Sequence, residues 1–309
     1  MVPEIILEAW ESLKDINIWI RIGLSAIFLI ILVILSFWQR ADLEAKLLWS
    51  FFRGMIQVII FGLILDALFA LEKIWVLYLV LFLMCLFAAF TNYQTYPYPK
   101  VFLISLFAIT STSIAIMTFA IYSGSFEFFE GIIPGMTGEF IIPMGSMVIA
   151  FAMRISGIAL ERAKSDIMKM QGTIEAALIL GDNPTNAIRF ILRDCYRASL
   201  TPTINRVAVL GIVTIPGLMA GMIIGGIPPI VAAIYQIVIF LMLLLASFSS
   251  SIITNYFFTL QFFTKEQQFN LEFLNKMQQI EAELKNKRVI ERWKKFFKNR
   301  NEKKSKEAN

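Results

Sequence analysis

Long apolar runs set the limits on what this chain can become. About seven stretches, near residues 18–37, 47–71, 75–93, 100–122, 140–160, 207–226 and 230–256, are long and apolar enough to cross a bilayer core of ~30 Å as helices. In hydrocarbon each backbone N–H and C=O has to be paired within the protein, so such runs become helices and not open sheets. The expected fold is therefore all-α: a polytopic integral membrane protein with about seven transmembrane helices. Composition agrees. Hydrophobic residues make up 58% of the chain and charged residues 17%, against about a quarter charged in soluble domains. The mean hydropathy is +0.70.

Three segments follow from this pattern: an N-terminal interfacial segment (1–17), a membrane domain (18–256) and a basic tail (257–309). Residues 1–17 do not read as a signal peptide, because Glu4 and Glu8 stand where positive charge belongs. Ile5, Ile6, Ala9, Trp10, Leu13 and Ile16 suit a short helix lying in the interface. Basic residues favour the cytoplasmic side. Arg40, Lys46, Lys100, the charged segment with Arg154, Arg162, Lys164, Lys169, Arg189, Arg193 and Arg197, and the tail all fall on one side if the N-terminus is outside. Glu4, Glu8, Glu11, Glu127 and Glu130 fall on the other. The expectation is a multi-pass protein of the cell (inner, cytoplasmic) membrane with its C-terminus in the cytoplasm.

One long charged segment, 158–202, interrupts the apolar runs. Ile158, Leu160, Ile167, Met170, Ile174, Ala177 and Leu178 recur at three- and four-residue steps, which predicts an amphipathic helix to Leu180. Gly181 closes it, Asp182 or Asn183 caps the next helix, and Pro184 suits that helix's first turn. Ile188, Ile191 and Leu192 share a face with Arg189, Arg193 and Arg197 around it, and Pro202 is expected to end the helix. The segment reads as a cytoplasmic hairpin. The tail beyond it carries Phe273, Met277, Ile280 and Leu284 at helical spacing, followed by Trp293, Phe296 and Phe297 among Lys and Arg. That composition suits contact with lipids of the anionic inner leaflet. No nucleic-acid-binding fold accompanies the charge.

The chemistry available is narrow. No G-x-x-x-x-G-K-[ST] loop occurs, so this chain does not hold ATP in that way. There is no histidine, which removes His metal sites and Ser-His triads. Cys85 and Cys195 stand in segments too far apart to pair, and both are expected to be reduced. Polar groups within the spans remain as candidates for a substrate path. Arg53 and Gln57 are one turn apart, with Asp66 further along; snorkelling of Arg53 to the interface is the other reading. Gln236 and Asn255 fit either a path or plain interhelical hydrogen bonds. Pro134 and Pro143 precede or open the fifth span and Pro216-Gly217 interrupts the sixth; both spans are expected to line the path or a subunit interface, with ordinary kinks and close packing as the other reading. Met144, Met147, Met153, Met219 and Met222 lie on those spans. Thioethers bind soft metals, but packing is the simpler role, and no metal site is assigned.

Two resemblances refine this reading. Glu175-Ala176-Ala177, then Gly181, then Ile191 resembles the EAA loop of ABC-importer permeases, which docks into a groove of the ATPase; Leu192-Arg193 stand where that loop has Leu-Pro. A longer set of residues resembles the FetB family of iron-export permeases, to which plant aluminium-tolerance permeases also belong. It includes Leu43-Glu44, Leu48-Trp49-Ser50, Arg53, Ile56-Gln57, Pro143, Met147, Ala152-Met153, Leu180-Gly181, Pro184, Arg193-Asp194, Arg197-Ala198, Thr203, Gly211-Ile212-Val213, Pro216-Gly217, Met219, Gly221 and Tyr235-Gln236-Ile237. Ala150-Phe151 stand where that family commonly has Gly-Asn.

The resemblance implies the membrane subunit of an ABC transporter, exporting iron or another metal ion and driven by a separate ATPase that carries ATP and Mg. It implies no enzyme activity and no bound cofactor on this chain. Two copies are expected to serve a pair of ATPases. Docking of the ATPase is assigned to Glu175, Ala176, Ala177, Gly181, Arg189, Arg193 and Asp194. The substrate path is assigned to Arg53, Gln57, Met147, Met153, Pro216, Gly217, Met219 and Gln236. A nucleotide-sugar ABC permease and an ion-coupled secondary transporter are the alternatives. Inverted repeats and midplane carboxylates, the marks of the latter, are not evident.

Overall fold

The computed structural model describes residues 16–39, 44–69, 73–124 and 138–283. The expectations for 1–15, for Glu127 and Glu130, and for the basic run after 283 lie outside the described residues. So does the side chain of Asp66.

The described chain is helical throughout, with no strand beyond isolated bridges. In order the helices are α1 (Ile16–Trp38), α2 (Glu44–Phe69), α3 (Ile74–Thr95), α4 (Val101–Tyr122), α5 (Gly138–Lys169), α6 (Gln171–Ile179), α7 (Pro184–Ala187), α8 (Arg189–Ala208), α9 (Gly217–Ile224) and α10 (Pro229–Thr259). A final helix, α11, covers 271–283. Among the described residues, five are long and apolar enough to cross a membrane: α2 to α5 and α10 with its 3-10 extension to Phe262. In α1 the stretch Ala26–Trp38 is a shorter apolar helix.

The chain divides into two compact units, residues 1–77 with 136–139, and the rest. In the first, α1 and α2 pack on each other, and Ser36 Oγ donates to Glu44 Oε1 at 3.1 Å where they meet. Their Ile, Leu and Phe side chains are largely exposed, as an apolar helix surface facing lipid tails can be.

In the second unit α10 packs mainly against α4 and α8. Its buried positions, from Ala232 through Tyr235, Gln236, Ile239 and Leu243 to Thr259, recur every three or four residues. Toward its C-terminal half the face turns to small hydroxyls that tie neighbours together. Ser250 Oγ donates to the Ala152 carbonyl at 2.9 Å, Thr254 Oγ1 to Ser156 Oγ at 2.9 Å, and Ser251 and Ser199 share a 2.9 Å hydrogen bond. Small residues let helices approach closely while their hydroxyls satisfy each other. Between α3 and α5 the Leu81 side chain fills the space beside Gly145, where a Cβ would collide with it.

Two sequence expectations need correction. The 207–226 run is not one continuous span. α8 ends at Ala208, residues 209–216 are non-helical, and α9 is a separate eight-residue helix against α10. Nor does Pro202 end its helix. It sits inside α8, where the buried neighbours Ser199 and Thr203 hold the helix on course. Beside the lost backbone bond, Thr201 Oγ1 donates to the Arg197 carbonyl at 2.6 Å, a local bond that helps bend a helix.

Candidate functional site: a hairpin at the end of the bundle

The hairpin grows directly out of a span. α5 runs unbroken to Lys169, so the amphipathic stretch beginning at Ile158 is its own last turns. The predicted helix to Leu180 is broken once, at Met170, and resumes as α6. It then closes in a Schellman turn. Gly181 takes φ +88°, its N–H donates to the Leu178 carbonyl (3.0 Å), and the Asp182 N–H reaches back to Ala177 (3.0 Å). Asn183, in extended conformation, precedes Pro184 at the first position of α7. The Asn183 side chain makes no cap bond; Asp182 Oδ1 instead accepts the Asn183 N–H at 3.0 Å.

One apolar core locks the hairpin together. Ile167 of α5, Ile174 of α6, Ala187 of α7 and Ile188, Ile191 and Cys195 leading through α8 are buried in it, with Tyr98, Val101, Phe258 and Phe262 from the ends of the spans. So the Lys100 loop, the hairpin and the end of α10 lie at one end of the bundle. α11 joins the same core. Asn270 Oδ1 accepts the Phe273 N–H (3.0 Å) as its N-cap, Leu274 and Met277 are buried, and Phe273 stands edge-on to Phe262 at 5.0 Å. The apolar face at Phe273, Met277 and Ile280 is thus turned to the protein's own hairpin.

Polar contacts fasten the base. Tyr96 OH donates to Glu161 at 3.3 Å. Lys164 Nζ donates to Glu281 Oε1 (2.7 Å) and to Tyr98 OH (2.9 Å). Burial works against the Lys164 ammonium, but the bonds to Glu281 and Tyr98 outweigh it and raise its pKa. The Cys195 thiol, buried and 3.9 Å from Asp166 Oδ2, is pushed up to about 12, by burial first and then by the Asp166 and Asp194 charges. It stays protonated and unreactive at neutral pH.

The hairpin's outer surface is different in kind. Ala176, Gly181, Arg189, Arg193 and Asp194 are exposed, while Glu175 and Ala177 are half-buried. Gln171 Nε2 donates to Glu175 Oε1 at 2.9 Å. Arg189, Arg193, Asp194 and Arg197 line an open depression of ≈ 820 Å³ with Phe190 and Tyr196. At the tip, Ile179 and Leu180 are 85% and 88% exposed. Sequence reasoning passed over these two. The signal was there: two large apolar residues abut a Gly whose left-handed turn points them away from the core.

The residues assigned to a substrate path are scattered. Arg53 and Gln57 lie exposed on α2. Met147 and Met153 are half-buried on α5, as are Pro216 and Met219 around α9, and Gly217 is exposed. Gln236 is buried on α10 with Oε1 unpartnered among the described residues. Arg154, grouped with the cytoplasmic charges in the sequence, stands instead within α5, beside residues that pack against α10. No group of three His, Cys, Asp or Glu able to hold a metal ion occurs among the described residues.

Apolar spans, small-residue packing and a charged two-armed hairpin at one end define a polytopic α-helical membrane protein. The chain belongs to the UPF0014 family of membrane proteins, described as an uncharacterised protein family, which it matches over residues 19–263. It is 31% identical over 248 residues to the probable iron export permease protein FetB of Escherichia coli K12, covering 80% of this chain and 93% of that protein. It is 30% identical over 242 residues to the UPF0014 membrane protein STAR2 of Oryza sativa subsp. japonica, covering 77% of this chain and 81% of that one. Protein ALUMINUM SENSITIVE 3 of Arabidopsis thaliana is 27% identical over 246 residues, 79% of this chain and 87% of its own. The resemblance expected from scattered Pro, Gly and polar positions is therefore real. No solved structure matches the chain. The family match stops before α11.

Proposed function

We propose that this chain is the membrane subunit of an ABC-type exporter, driven by a separate ATPase that docks on the 158–202 hairpin. The observation that carries the reading is the pair Ile179 and Leu180. They are apolar and almost wholly exposed, yet they stand at the tip of a hairpin whose Ile167, Ile174, Ile188 and Ile191 are locked in a core. An exposed apolar knob on a hairpin that also exposes Arg189, Arg193 and Asp194 offers the two ingredients of a binding surface, an apolar anchor and charged groups. Iron or another metal is the cargo suggested by the name of the Escherichia coli relative.

In this reading the chain catalyses nothing itself. ATP and Mg sit on the partner, and two copies serve two ATPases. The protein lies in the cytoplasmic membrane with its hairpin and C-terminus inside, as the basic residues require. Docking movements pass from Glu175, Ala176, Ala177 and Gly181 through α8 to the interrupted segment at Pro216, Gly217 and Met219. Met147, Met153 and Gln236, and separately Arg53 and Gln57 on α2, are the residues assigned to the substrate path in this reading.

The test is direct. The protein is co-reconstituted with candidate ABC ATPases in liposomes, and hydrolysis is measured with and without metal salts. Stimulation by the membrane chain supports the proposal. An ion-gradient-driven flux with no ATPase dependence overturns it in favour of a secondary transporter.

A further inference from the structure

Arg154 and Arg206 stand where a bilayer offers them no counter-charge. Glu161 marks the end of the bundle, bound to Tyr96 beside the tyrosine-rich loop. At ~1.5 Å per residue along α5, Arg154 lies roughly 10 Å deeper, about a third of the way into a ~30 Å hydrocarbon layer. Its guanidinium does not snorkel back. Its Cζ lies 5.1 Å from the centre of the Phe151 ring, nearly one turn deeper again, because helical side chains lean toward the N-terminus. Arg206, near the end of α8, reaches the same ring at 5.4 Å.

Both arginines are exposed, and neither has a carboxylate within salt-bridge distance among the described residues. An aromatic face attracts a cation, but it does not neutralise two like charges converging on it. Such a pair persists at membrane depth only where water or a counter-ion reaches it. The adjoining chain points to the same opening: residues 209–216, directly after α8, are non-helical, and Gly211 to Ile215 are exposed. Non-helical backbone at that depth faces protein or a water-filled cavity.

We infer that Arg154 and Arg206 form an oxyanion-binding point on the transport path. The transported species carries a carboxylate or a phosphate, and a metal passes here as an anionic chelate and not as a free cation. The inference rests on the permease reading and adds the charge class of its cargo. Phe151 positions the two guanidinium groups at the place where the FetB family commonly has Asn.

The full-length protein in nanodiscs, without ATPase, tests this by equilibrium dialysis in separate arms: ferric citrate, inorganic phosphate, a nucleotide sugar, and chelator-free ferrous ion. At least one oxyanion probe is expected to bind, and the arms tell carboxylate from phosphate. R154Q and R206Q should each weaken that binding about tenfold or more, the loss expected when a charge-assisted hydrogen bond goes. R154K and R206K should retain much of it. A second measurement needs no variant: the bound probe should protect Arg154 and Arg206 from phenylglyoxal, read by peptide mass spectrometry. Binding of ferrous ion alone, oxyanion binding indifferent to R154Q/R206Q, or absence of protection overturns the inference. Because no ATPase is present, each of those results leaves ATPase-driven transport to the liposome assay.

Discussion

Truncating the hairpin tip tests the docking surface most sharply, because the tip is separate from the fold. Ile179 and Leu180 are 85% and 88% exposed in the free chain, so their side chains contribute little to its stability. Exposed substitutions of this kind usually change stability by no more than about 0.5 kcal/mol. A partner that covers them gains their burial. Each change to Ala removes about three carbons, and at ~0.8 kcal/mol per buried methylene that is about 2 kcal/mol. I179A/L180A should therefore cost about 4–5 kcal/mol of docking energy, roughly a thousandfold in Kd. Gly181 stays, so the Schellman turn stays. The assay is titration of the ATPase against nanodisc-embedded parent and variant, with thermal unfolding run in parallel. Expected are an unchanged melting temperature and a Kd weaker by about three decades. An unchanged Kd would refute the docking assignment. A fall in melting temperature of the isolated chain would refute the premise that the tip is free of the core.

Three further outcomes are expected. Gly181→Val places a branched side chain at φ +88°, a left-handed conformation costing about 1–2 kcal/mol for such a residue; amide exchange should speed up in α6 and α7 while the spans remain protected. Lys164→Met should release α11, seen as new proteolysis within 271–283. In the parent the raised Lys164 pKa gives stability that is complete below the ordinary lysine value and is lost only as pH rises through the raised one. Docking of α11 should therefore be flat through neutral pH and fail in strong alkali; loss on mild acidification would contradict the pairing. Cys195, with its thiol pushed up to about 12, should resist maleimide at neutral pH, whereas a cysteine placed at Leu180 should react when reagent enters from the cytoplasmic side and not from outside.

Much of this was legible in the sequence because the bilayer imposes one rule on every span. Apolar length alone located α2 to α5 and α10. Gly181 and Pro184 announced the turn through their own backbone chemistry, which neighbours do not change. What escaped depended on neighbours. Pro202 reads as a terminator, but Ser199 bonded to Ser251 and Thr203 buried nearby carry the helix through it. The 207–226 run is apolar enough to look like a span, and Pro216-Gly217 marked its interruption; what they did not show is that the non-helical stretch reaches back to residue 209. The face at Phe273, Met277 and Ile280 is amphipathic in any setting; only the fold shows that it covers the hairpin and not lipid. Arg154 lies inside the 140–160 run, but only the fold shows that Arg206 meets it at the Phe151 ring.

The hairpin core has a mechanical consequence. Residues of α5, α6, α7, α8 and α11, with the ends of α4 and α10, share a single packed cluster, and densely packed interiors do not shear gradually. The part of the hairpin below the exposed tip, holding Ile174 and Ile191, therefore moves as one piece with the ends of the spans it packs on. At Pro202 α8 lacks one rung of its backbone ladder, but the buried Ser199 and Thr203 keep the helix continuous past it. On its far side the same helix carries Arg206 and then the non-helical stretch. If a partner docks at the tip as proposed, its displacement is carried along α8 toward Arg206, and the distance between Arg206 and Arg154 is the quantity to follow.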